Sequence, residues 1–418
     1  MQLLNSATRN YSWGSRTMIP ELKGDPASDT PVAELWFGAH PGDPSTVDGQ
    51  RLDEVIAAAP TEQLGKRVQQ DYGKRLPFLL KILAAAEPLS LQAHPSKAQA
   101  EEGFARENEQ GIEVSATNRN YKDDNHKPEL IVALTEFYAM AGFRPLERTL
   151  ELLKALECSE LEHYLNMLLP EAAAESENLR ALFTTWITIP ATKRKELIAA
   201  IVEAGEKLIA RLEAAPANST DSAAAWMARD MRTVISLNEQ YPGDIGVLGA
   251  LLLNHVVLQP GEAVYLNAGA LHAYVSGLGV EIMANSDNVL RGGLTPKFVD
   301  VPELVKVLTY ESVDDPRVQQ KEKSVEETLH GAKAWSYPVP IDEFILDRVE
   351  LCADDTVELN FDGPAIALCT GGEVELRDNE GQELKLQPGR AAWLPAAEET
   401  VVARVAAGEA SQLFIARV

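Results

Sequence analysis

Two hydrophobic patterns alternate along the chain, and they predict strands in its outer parts and helices in the middle. In residues 76–145, and again from Pro242 onward, short apolar runs or alternating apolar and polar residues are separated by glycine and proline turns. This pattern is typical of strands. Residues 146–240 are instead rich in Ala, Leu, Glu and Lys at 3.6-residue spacing, which predicts helices. We also expect short helices at 52–73 and 301–310.

This order of elements predicts a mainly β fold with an inserted α-helical domain. A strand–turn–strand phrase occurs twice, as LQPGEAVYLNAGALH from Leu258 and as LQPGRAAWLPAAEET from Leu386. Repetition of such a unit among many short strands predicts two cupin-like jelly-roll barrels in one chain. The expected domains are a catalytic cupin domain in two parts (1–145 and 241–320), an inserted helical domain (146–240) and a C-terminal, metal-free cupin-like barrel (321–418).

Composition and charge narrow the possible partners. The 418 residues carry a net charge of −25, which argues against nucleic acid and anionic membranes because like charges repel. The sequence contains no run of about 18 apolar residues, so we expect no membrane span. The N-terminal sequence does not resemble a secretory signal. Three widely spaced cysteines fit a reducing compartment, so we expect a cytoplasmic protein.

Histidine, carboxylate and amide side chains in three separate segments suggest a metal site. Gln92 and His94 are two residues apart on a predicted strand and therefore share one face. His126 and Glu129 lie in the turn DNHKPEL, and His272 ends the first copy of the repeated phrase. Imidazole and carboxylate are ordinary zinc ligands, whereas an amide is a rare one. Each residue alone could be an ordinary hydrogen-bonded side chain, so only the combination indicates a metal.

The few basic residues near these segments could bind a small anion. Arg291 and Lys297 are the only strong bases between residues 244 and 300, and they lie in the glycine-containing segment NSDNVLRGGLTPK. Arginine suits bidentate contact with phosphate. Lys81 and Lys127 lie near the candidate ligands in sequence. Solvated surface charge is the alternative explanation, but it suits Lys81 poorly because that residue lies within the apolar run FLLKILAAA.

Five motifs together resemble one family. SLQAHPSK, NHKPEL, LNAGALHAY, GVEIMANSDNVLRGGLTPK and ELWFGAHP are similar, in order and spacing, to motifs of the type I phosphomannose isomerases, over about residues 11–310 without the helical insert. The resemblance implies one zinc ion per chain bound by Gln92, His94, Glu129 and His272. It implies catalytic roles for Arg291, Lys127, Glu281 and Asp287, and it places Ser90, Lys81, Lys297 and Tyr274 in the substrate pocket.

The family's reaction sets the expected function. It interconverts mannose 6-phosphate and fructose 6-phosphate, and we expect it to proceed through a cis-enediol. The base that moves the proton stays open between Lys127 and Glu281, and Asp287 or His94 could assist ring opening. The expected partner is a phosphosugar, and the working expectation for assembly is a monomer.

Two other functions remain open at the level of sequence. A cupin oxygenase would use the same two histidines and one carboxylate to hold iron. A non-catalytic sugar-binding cupin is the second alternative, and the acidic helical insert argues against it because a DNA-reading output domain would be basic.

Overall fold

A computed structural model describes residues 1–168, 175–214, 222–323, 332–398 and 400–418. Numbered in chain order, the strands are β1 (Gln2–Asn5), β2 (Ala7–Arg9), β3 (Glu34–Gly38), β4 (Thr46–Val47), β5 (Gln50–Arg51), β6 (Phe78–Ala85), β7 (Leu91–Ala93), β8 (Glu129–Ala133), β9 (Phe137–Phe143), β10 (Leu253–Leu258), β11 (Ala263–Leu266), β12 (His272–Ala284), β13 (Leu290–Gly293), β14 (Arg317–Val318), β15 (Lys321–Glu322), β16 (Lys333–Ser336), β17 (Ile345–Cys352), β18 (Thr356–Asn360), β19 (Ala365–Asp378), β20 (Glu383–Leu386), β21 (Ala391–Leu394) and β22 (Thr400–Arg417).

The helices lie mainly between β9 and β10. They are α1 (Met18–Lys23), α2 (Leu52–Ala58), α3 (Pro60–Tyr72), α4 (Lys97–Glu109), α5 (Leu146–Ala155), α6 (Glu162–Leu165), α7 (Glu175–Ile187), α8 (Ala191–Glu213), α9 (Ser222–Gln240), α10 (Ile245–Ala250) and α11 (Val301–Val307). Within the described residues, none of these helices combines the length and apolar character needed to cross a membrane.

Two antiparallel sheets of eleven strands each form the β structure. The first, which we call the site sheet, has the order β14-β11-β8-β12-β6-β3-β2 with β7, β9, β10 and β13 attached. The second, the C-terminal sheet, has the order β15-β16-β17-β22-β19-β21-β1-β4-β5 with β18 and β20 attached. The expected mainly β fold is therefore confirmed. The strand pairings between described residues close no barrel, and the cupin-like jelly rolls stay a prediction.

The N-terminal strands join the two sheets in a way that the domain boundaries did not anticipate. β1 pairs with β21 of the C-terminal sheet and with β4, whereas β2 and β3 belong to the site sheet. Residues 1–145 therefore contribute strands to both sheets. The proposed division of the chain at 145, 240 and 320 remains a prediction.

Both copies of the repeated phrase form the same turn. Gln259 accepts a backbone hydrogen bond from Glu262 at 2.8 Å, and Gln387 accepts one from Arg390 at 2.9 Å. The glycine in each turn has a positive φ, +90° at residue 261 and +79° at residue 389, a conformation that favours glycine. The strand predicted on either side of each turn is present in both copies.

The helical segment is anchored to the site sheet by a buried ion pair. Arg144, just after β9, contacts Asp230 of α9 at 2.5 Å, and the side chains of both are 2% exposed. The same guanidinium lies 4.8 Å from the ring of Trp226, also in α9. Breaking such a pair would leave a buried charge without a partner, so this contact fixes α9 against the sheet.

Candidate metal centre

Three adjacent strands bring the candidate ligands together. His272 is the first residue of β12 and lies opposite Gln92 of β7, while Glu129 is the first residue of β8, which also pairs with β12. His94 follows β7, and the capping box of Ser96 starts α4 directly afterwards. Proline at position 95 and this helix start fix where the chain leaves the strand.

The two imidazoles and the carboxylate converge on one point. Glu129 Oε2 lies 3.4 Å from His94 Nε2 and 3.3 Å from His272 Nε2. All three atoms are buried, and none has a hydrogen-bond partner among the described residues. Buried polar atoms without partners are rare in native proteins. A cation that accepts all three lone pairs accounts for this arrangement.

The remaining ring nitrogens determine the tautomers of the histidines. His94 Nδ1 lies 2.7 Å from the backbone oxygen of Asn288, and His272 Nδ1 lies 2.9 Å from that of Ala270. A carbonyl oxygen can only accept, so each Nδ1 carries the hydrogen and each Nε2 presents a lone pair. This is the usual hydrogen bonding of metal-binding histidines, and two His and one Glu fit zinc.

Charge and burial hold His94 and Glu129 in the protonation states that a metal needs. Burial, together with the nearby Lys127, lowers the pKa of His94 to about 4 against the attraction of Glu129. Burial of Glu129 favours its neutral form, but the charge of the neighbouring Lys127 opposes burial, and the pKa of this carboxyl lies well below its usual range. At neutral pH the carboxylate is therefore ionised and His94 is neutral.

Lys127 forms a salt bridge with the other carboxylate oxygen of Glu129. Its Nζ lies 3.0 Å from Glu129 Oε1, and its side chain is 11% exposed. The sequence-predicted Lys127 therefore lies directly beside the metal centre. His126, the neighbouring residue, does not join the centre and instead contacts Glu343, which precedes β17.

A buried polar cluster near the centre contains three predicted residues, and one of them, Tyr274, has its ring 6.2 Å from that of His272. Lys81 Nζ contacts Glu281 Oε2 at 2.9 Å and Glu34 Oε1 at 3.6 Å, and the hydroxyl of Tyr274 donates to Glu281 Oε1 at 2.8 Å. Burial favours the uncharged form of Lys81, but Glu281 and Glu34 outweigh it and raise the pKa of the lysine. Burial and the nearby Glu129 and Glu34 raise the pKa of Glu281, although Lys81 acts in the opposite direction.

Four further predicted residues lie in or near β7 and β13. Gln92 pairs with both His272 and Arg291 across β7, so these three side chains share one face of the sheet. Burial lowers the pKa of Arg291. Lys297 is exposed, and its pKa is lowered by partial burial and by the charges of Arg291 and Lys122. Ser90 is half-buried just before β7.

Asp287 lines a cavity and does not lie among the candidate metal ligands. Its Oδ1 is 3.6 Å from His40 Nε2, and its side chain is 48% exposed. Both residues line a cavity of about 610 Å³, together with Lys122, His126 and Glu343. This volume is in the range of small-molecule sites.

Sequence reasoning missed several residues that the structure places at the site. Glu34 and His40 lie within the quoted motif ELWFGAHP, but neither was singled out, because their partners Lys81 and Asp287 are far away in sequence. Asn288 was missed because its contribution to His94 is a backbone oxygen. Polar residues inside a buried strand motif, such as Glu34, were the available signal.

Comparison with known proteins shows which family the chain belongs to. Residues 1–146 match the model of the phosphomannose isomerase type I catalytic domain. The chain is 38% identical over 412 residues to the mannose-6-phosphate isomerase of Escherichia coli K12, covering 97% of both chains. It is 34% identical to the Schizosaccharomyces pombe enzyme of that name, covering 93% of both.

The fold is also similar to those of solved structures, and the similarity covers 100% of this chain. A mannose 6-phosphate isomerase bound with zinc and yttrium superposes with a TM-score of 0.84 at 36% identity, covering 100% of this chain and 99% of that one. A zinc-bound holo structure gives the same TM-score and identity. All these relatives are sugar-phosphate isomerases. The chain belongs to the type I phosphomannose isomerase family, as the sequence motifs predicted.

Proposed function

We propose that the chain is a zinc-dependent isomerase that interconverts mannose 6-phosphate and fructose 6-phosphate. The observation that carries the proposal is the convergence of His94 Nε2, Glu129 Oε2 and His272 Nε2, three buried atoms without partners among the described residues. The names of the relatives and the zinc in their solved structures support it. Gln92 is the proposed fourth ligand, because it pairs with His272 across the strands.

Bound zinc would polarise the sugar carbonyl and stabilise the negative charge of a cis-enediol. The side chains around it position the sugar and move the proton between C1 and C2. Lys127 is the favoured proton carrier because it contacts the metal ligand Glu129 at 3.0 Å. Glu281 is less suited, since Lys81 and Tyr274 already occupy both of its oxygens. We assign Glu281 to positioning those two side chains.

Arg291 and Lys297, with Lys122, are the proposed phosphate-binding group. The charges of Arg291 and Lys122 both lower the pKa of Lys297, so each of these two cations is close enough to repel Lys297. An anion placed among them would relieve this repulsion and gain charge-assisted hydrogen bonds. Ser90 on the neighbouring segment would line the same pocket.

Asp287 and His40 are suited to assist ring opening. They are 3.6 Å apart at the 610 Å³ cavity, and Asp287 is accessible to a ligand. His94 is not suited, because both of its ring nitrogens are committed, one to the metal centre and one to Asn288. General acid–base help of this kind is typically worth about 10²–10⁴-fold.

The proposal is tested by following mannose 6-phosphate conversion in a coupled assay before and after metal removal. Conversion should disappear with the metal and return with zinc. Oxygen uptake with iron, in the absence of isomerisation, would support a cupin oxygenase instead, since its ligands are also two His and one carboxylate. Sugar binding without turnover would support a non-catalytic cupin.

A single-turnover comparison tests the assignment of the base. Lys127→Ala should abolish the chemical step, whereas Glu281→Gln should slow it and also weaken substrate binding through Lys81 and Tyr274. A chemical step near the wild-type rate in Lys127→Ala would exclude Lys127.

We further propose that the chain folds into two jelly-roll barrels and acts as a monomer in the cytoplasm. We propose that it binds neither nucleic acid nor membranes.

A further inference from the structure

The turn that follows β13 contains a strained residue. Among the residues that the structure describes, the non-glycine residues with positive φ are Asp48, Glu157 and Leu294. The first two are exposed, whereas Leu294 is buried at 1% exposure. Its φ of +53° is unfavourable for a leucine because Cβ crowds the following carbonyl oxygen. Such strain persists only where the surrounding structure holds it, and it is concentrated at functional sites.

Leu294 lies midway between two cations of the proposed phosphate-binding group. Arg291 on β13 precedes it by three residues, and Lys297 follows it by three. The direction in which the chain leaves β13 depends on the φ of Leu294. A change of this angle to the ordinary negative range would therefore move Lys297 relative to Arg291.

One carboxylate oxygen holds Leu294 in this conformation. Asp244 Oδ1 accepts hydrogen bonds from the backbone N–H of Leu294 at 2.6 Å and from that of Gly246 at 2.7 Å. The second of these bonds caps α10. A charged acceptor makes such bonds stronger than a neutral one does. Because Leu294 is buried, water could not easily replace the carboxylate as the partner of its N–H.

Two glycines allow the close approach of α10 to this turn. A Cβ at Gly293 would lie 2.4 Å from the backbone nitrogen of Gly246 and 2.7 Å from Asp244 Oδ1, and a Cβ at Gly246 would lie 2.6 Å from Cγ of Leu294. The leucine side chain packs in the same hydrophobic core as residues of the helical segment. Packing therefore anchors the side chain of Leu294 while Asp244 fixes its backbone.

The helical segment supports Asp244 from the other side. Arg194 Nε of α8 donates to the backbone oxygen of Gly243 at 3.0 Å, and Asn238 Oδ1 of α9 accepts from the backbone N–H of Gly243, also at 3.0 Å. Gly243 directly precedes Asp244 in the chain. Contacts therefore run from α8 and α9 through these two residues to Leu294.

We propose that Asp244 is a positioning residue of the phosphate site. It holds Leu294 at positive φ, and this conformation sets the spacing of Arg291 and Lys297. The proposal rests on the proposed function, in which these cations bind the sugar phosphate, and it gives the helical segment a part in substrate binding. The charge of Asp244 repels phosphate, so a favourable effect of this carboxylate on phosphate binding must come from geometry.

The test compares phosphate binding in the wild type and in Asp244→Ala. Calorimetric titration of the zinc-loaded full chain with inorganic phosphate gives the affinity, and initial rates with mannose 6-phosphate give KM and kcat. Removal of a negative charge would by itself strengthen phosphate binding. We expect instead that the affinity falls about tenfold and that KM rises by a similar factor, since one charge-assisted hydrogen bond to phosphate is worth at least this much. The value of kcat should change less than about twofold, as is usual when binding alone is lost.

Three variants control for folding and charge. Asp244→Ser still caps α10 but leaves Leu294 without its charged acceptor, so it should lose affinity as Asp244→Ala does. Asp244→Asn keeps an oxygen that can accept from Leu294 and should stay within about twofold of the wild type. Asp300→Ala removes the carboxylate that caps α11 by accepting from Glu303 at 3.1 Å. It leaves the Leu294 bond intact, and its affinity should not fall.

Several outcomes would overturn the proposal. One is unchanged or tighter phosphate binding in both Asp244→Ala and Asp244→Ser, and another is an equal loss in Asp244→Ala and Asp300→Ala. Phosphate binding that Lys297→Gln leaves unchanged would overturn it as well, since the titrated site would then lie elsewhere. Absence of isomerisation by the wild type would refute the proposed reaction, but the phosphate titrations would still decide the role of Asp244.

Discussion

At the scale of single residues, the candidate metal centre depends on the groups that orient its candidate ligands as much as on the ligands themselves. The backbone oxygen of Asn288 fixes His94, and the Asn288 side chain holds that backbone in place. Its Nδ2 donates to the oxygens of Asp123 and Asn125 at 2.9 and 2.8 Å, and its Oδ1 accepts from the backbone of Lys122 at 2.7 Å. Three sequence motifs indicated the candidate ligands, but none indicated this support.

We expect Asn288→Ala to weaken zinc binding about 10–100-fold, the usual cost of losing an outer partner of a ligating histidine. The reason is that the loop loses the side-chain bonds that aim its backbone oxygen at His94. Competition with a chromophoric chelator measures the affinity. Asn254→Ala is the matched control, since this buried amide donates to Phe143 and Val313, away from the centre. Both variants should lose stability, but an equal loss of zinc affinity would contradict the assigned role.

At the scale of secondary structure, the local elements were predictable and their long-range partners were not. The short helices expected at 52–73 and 301–310 and the strands on either side of both Pro-Gly turns follow from local pattern and are present in the structure. The pairing of β1 with β21 was not predictable, because 387 residues separate Leu4 from Ala391. The partner of Lys81 was missed for the same reason.

The first Pro-Gly turn also joins the two sheets, which gives a prediction for Gly261. A Cβ at this position would lie 1.9 Å from Nη1 of Arg348, a residue of the C-terminal sheet whose guanidinium packs over Trp335. Gly261→Ala should therefore lower the unfolding midpoint more than Gly49→Ala. Gly49 also has a positive φ, but a Cβ there meets nothing within 4 Å, so it reports backbone strain alone, about 1–2 kcal/mol. Equal losses in the two variants would show that Arg348 moves aside freely.

Protonation of His255 of β10, at the junction between the helical segment and the site sheet, should lower the stability of the protein as pH falls. Burial and the nearby Arg144 lower its pKa below 6.5, against the attraction of Asp230. The unfolded chain therefore takes up this proton first as pH falls, so stability present above about pH 6.5 is lost below it. His255→Gln removes this contribution. The difference in unfolding midpoint between wild type and variant should shrink from pH 7.5 to 5.5, and a constant difference would contradict the assignment.

At the scale of the whole molecule, one chain carries two related strand–turn–strand units with different chemistry. The described residues contain one cluster of His, Cys, Asp or Glu that could hold a metal, namely His94, Glu129 and His272. In the C-terminal sheet, the position corresponding to His272 is a threonine bonded to Asn360. The net charge of −25 adds general attraction for cations, but weak surface binding of this kind is screened by salt.

The purified full chain should therefore retain one tightly bound zinc ion after dialysis in salt, measured by elemental analysis against protein concentration. Chelation should lower the unfolding midpoint, and added zinc should restore it, because a ligand that binds only the folded state stabilises it by about 2.7 kcal/mol at 100 times its Kd. His272→Ala should lose both the zinc and the zinc-dependent shift, whereas Asp347→Asn, on β17 of the C-terminal sheet, should keep both. A second equivalent retained by the wild type, or a zinc-dependent shift that persists in His272→Ala, would place a metal site outside the cluster at Glu129.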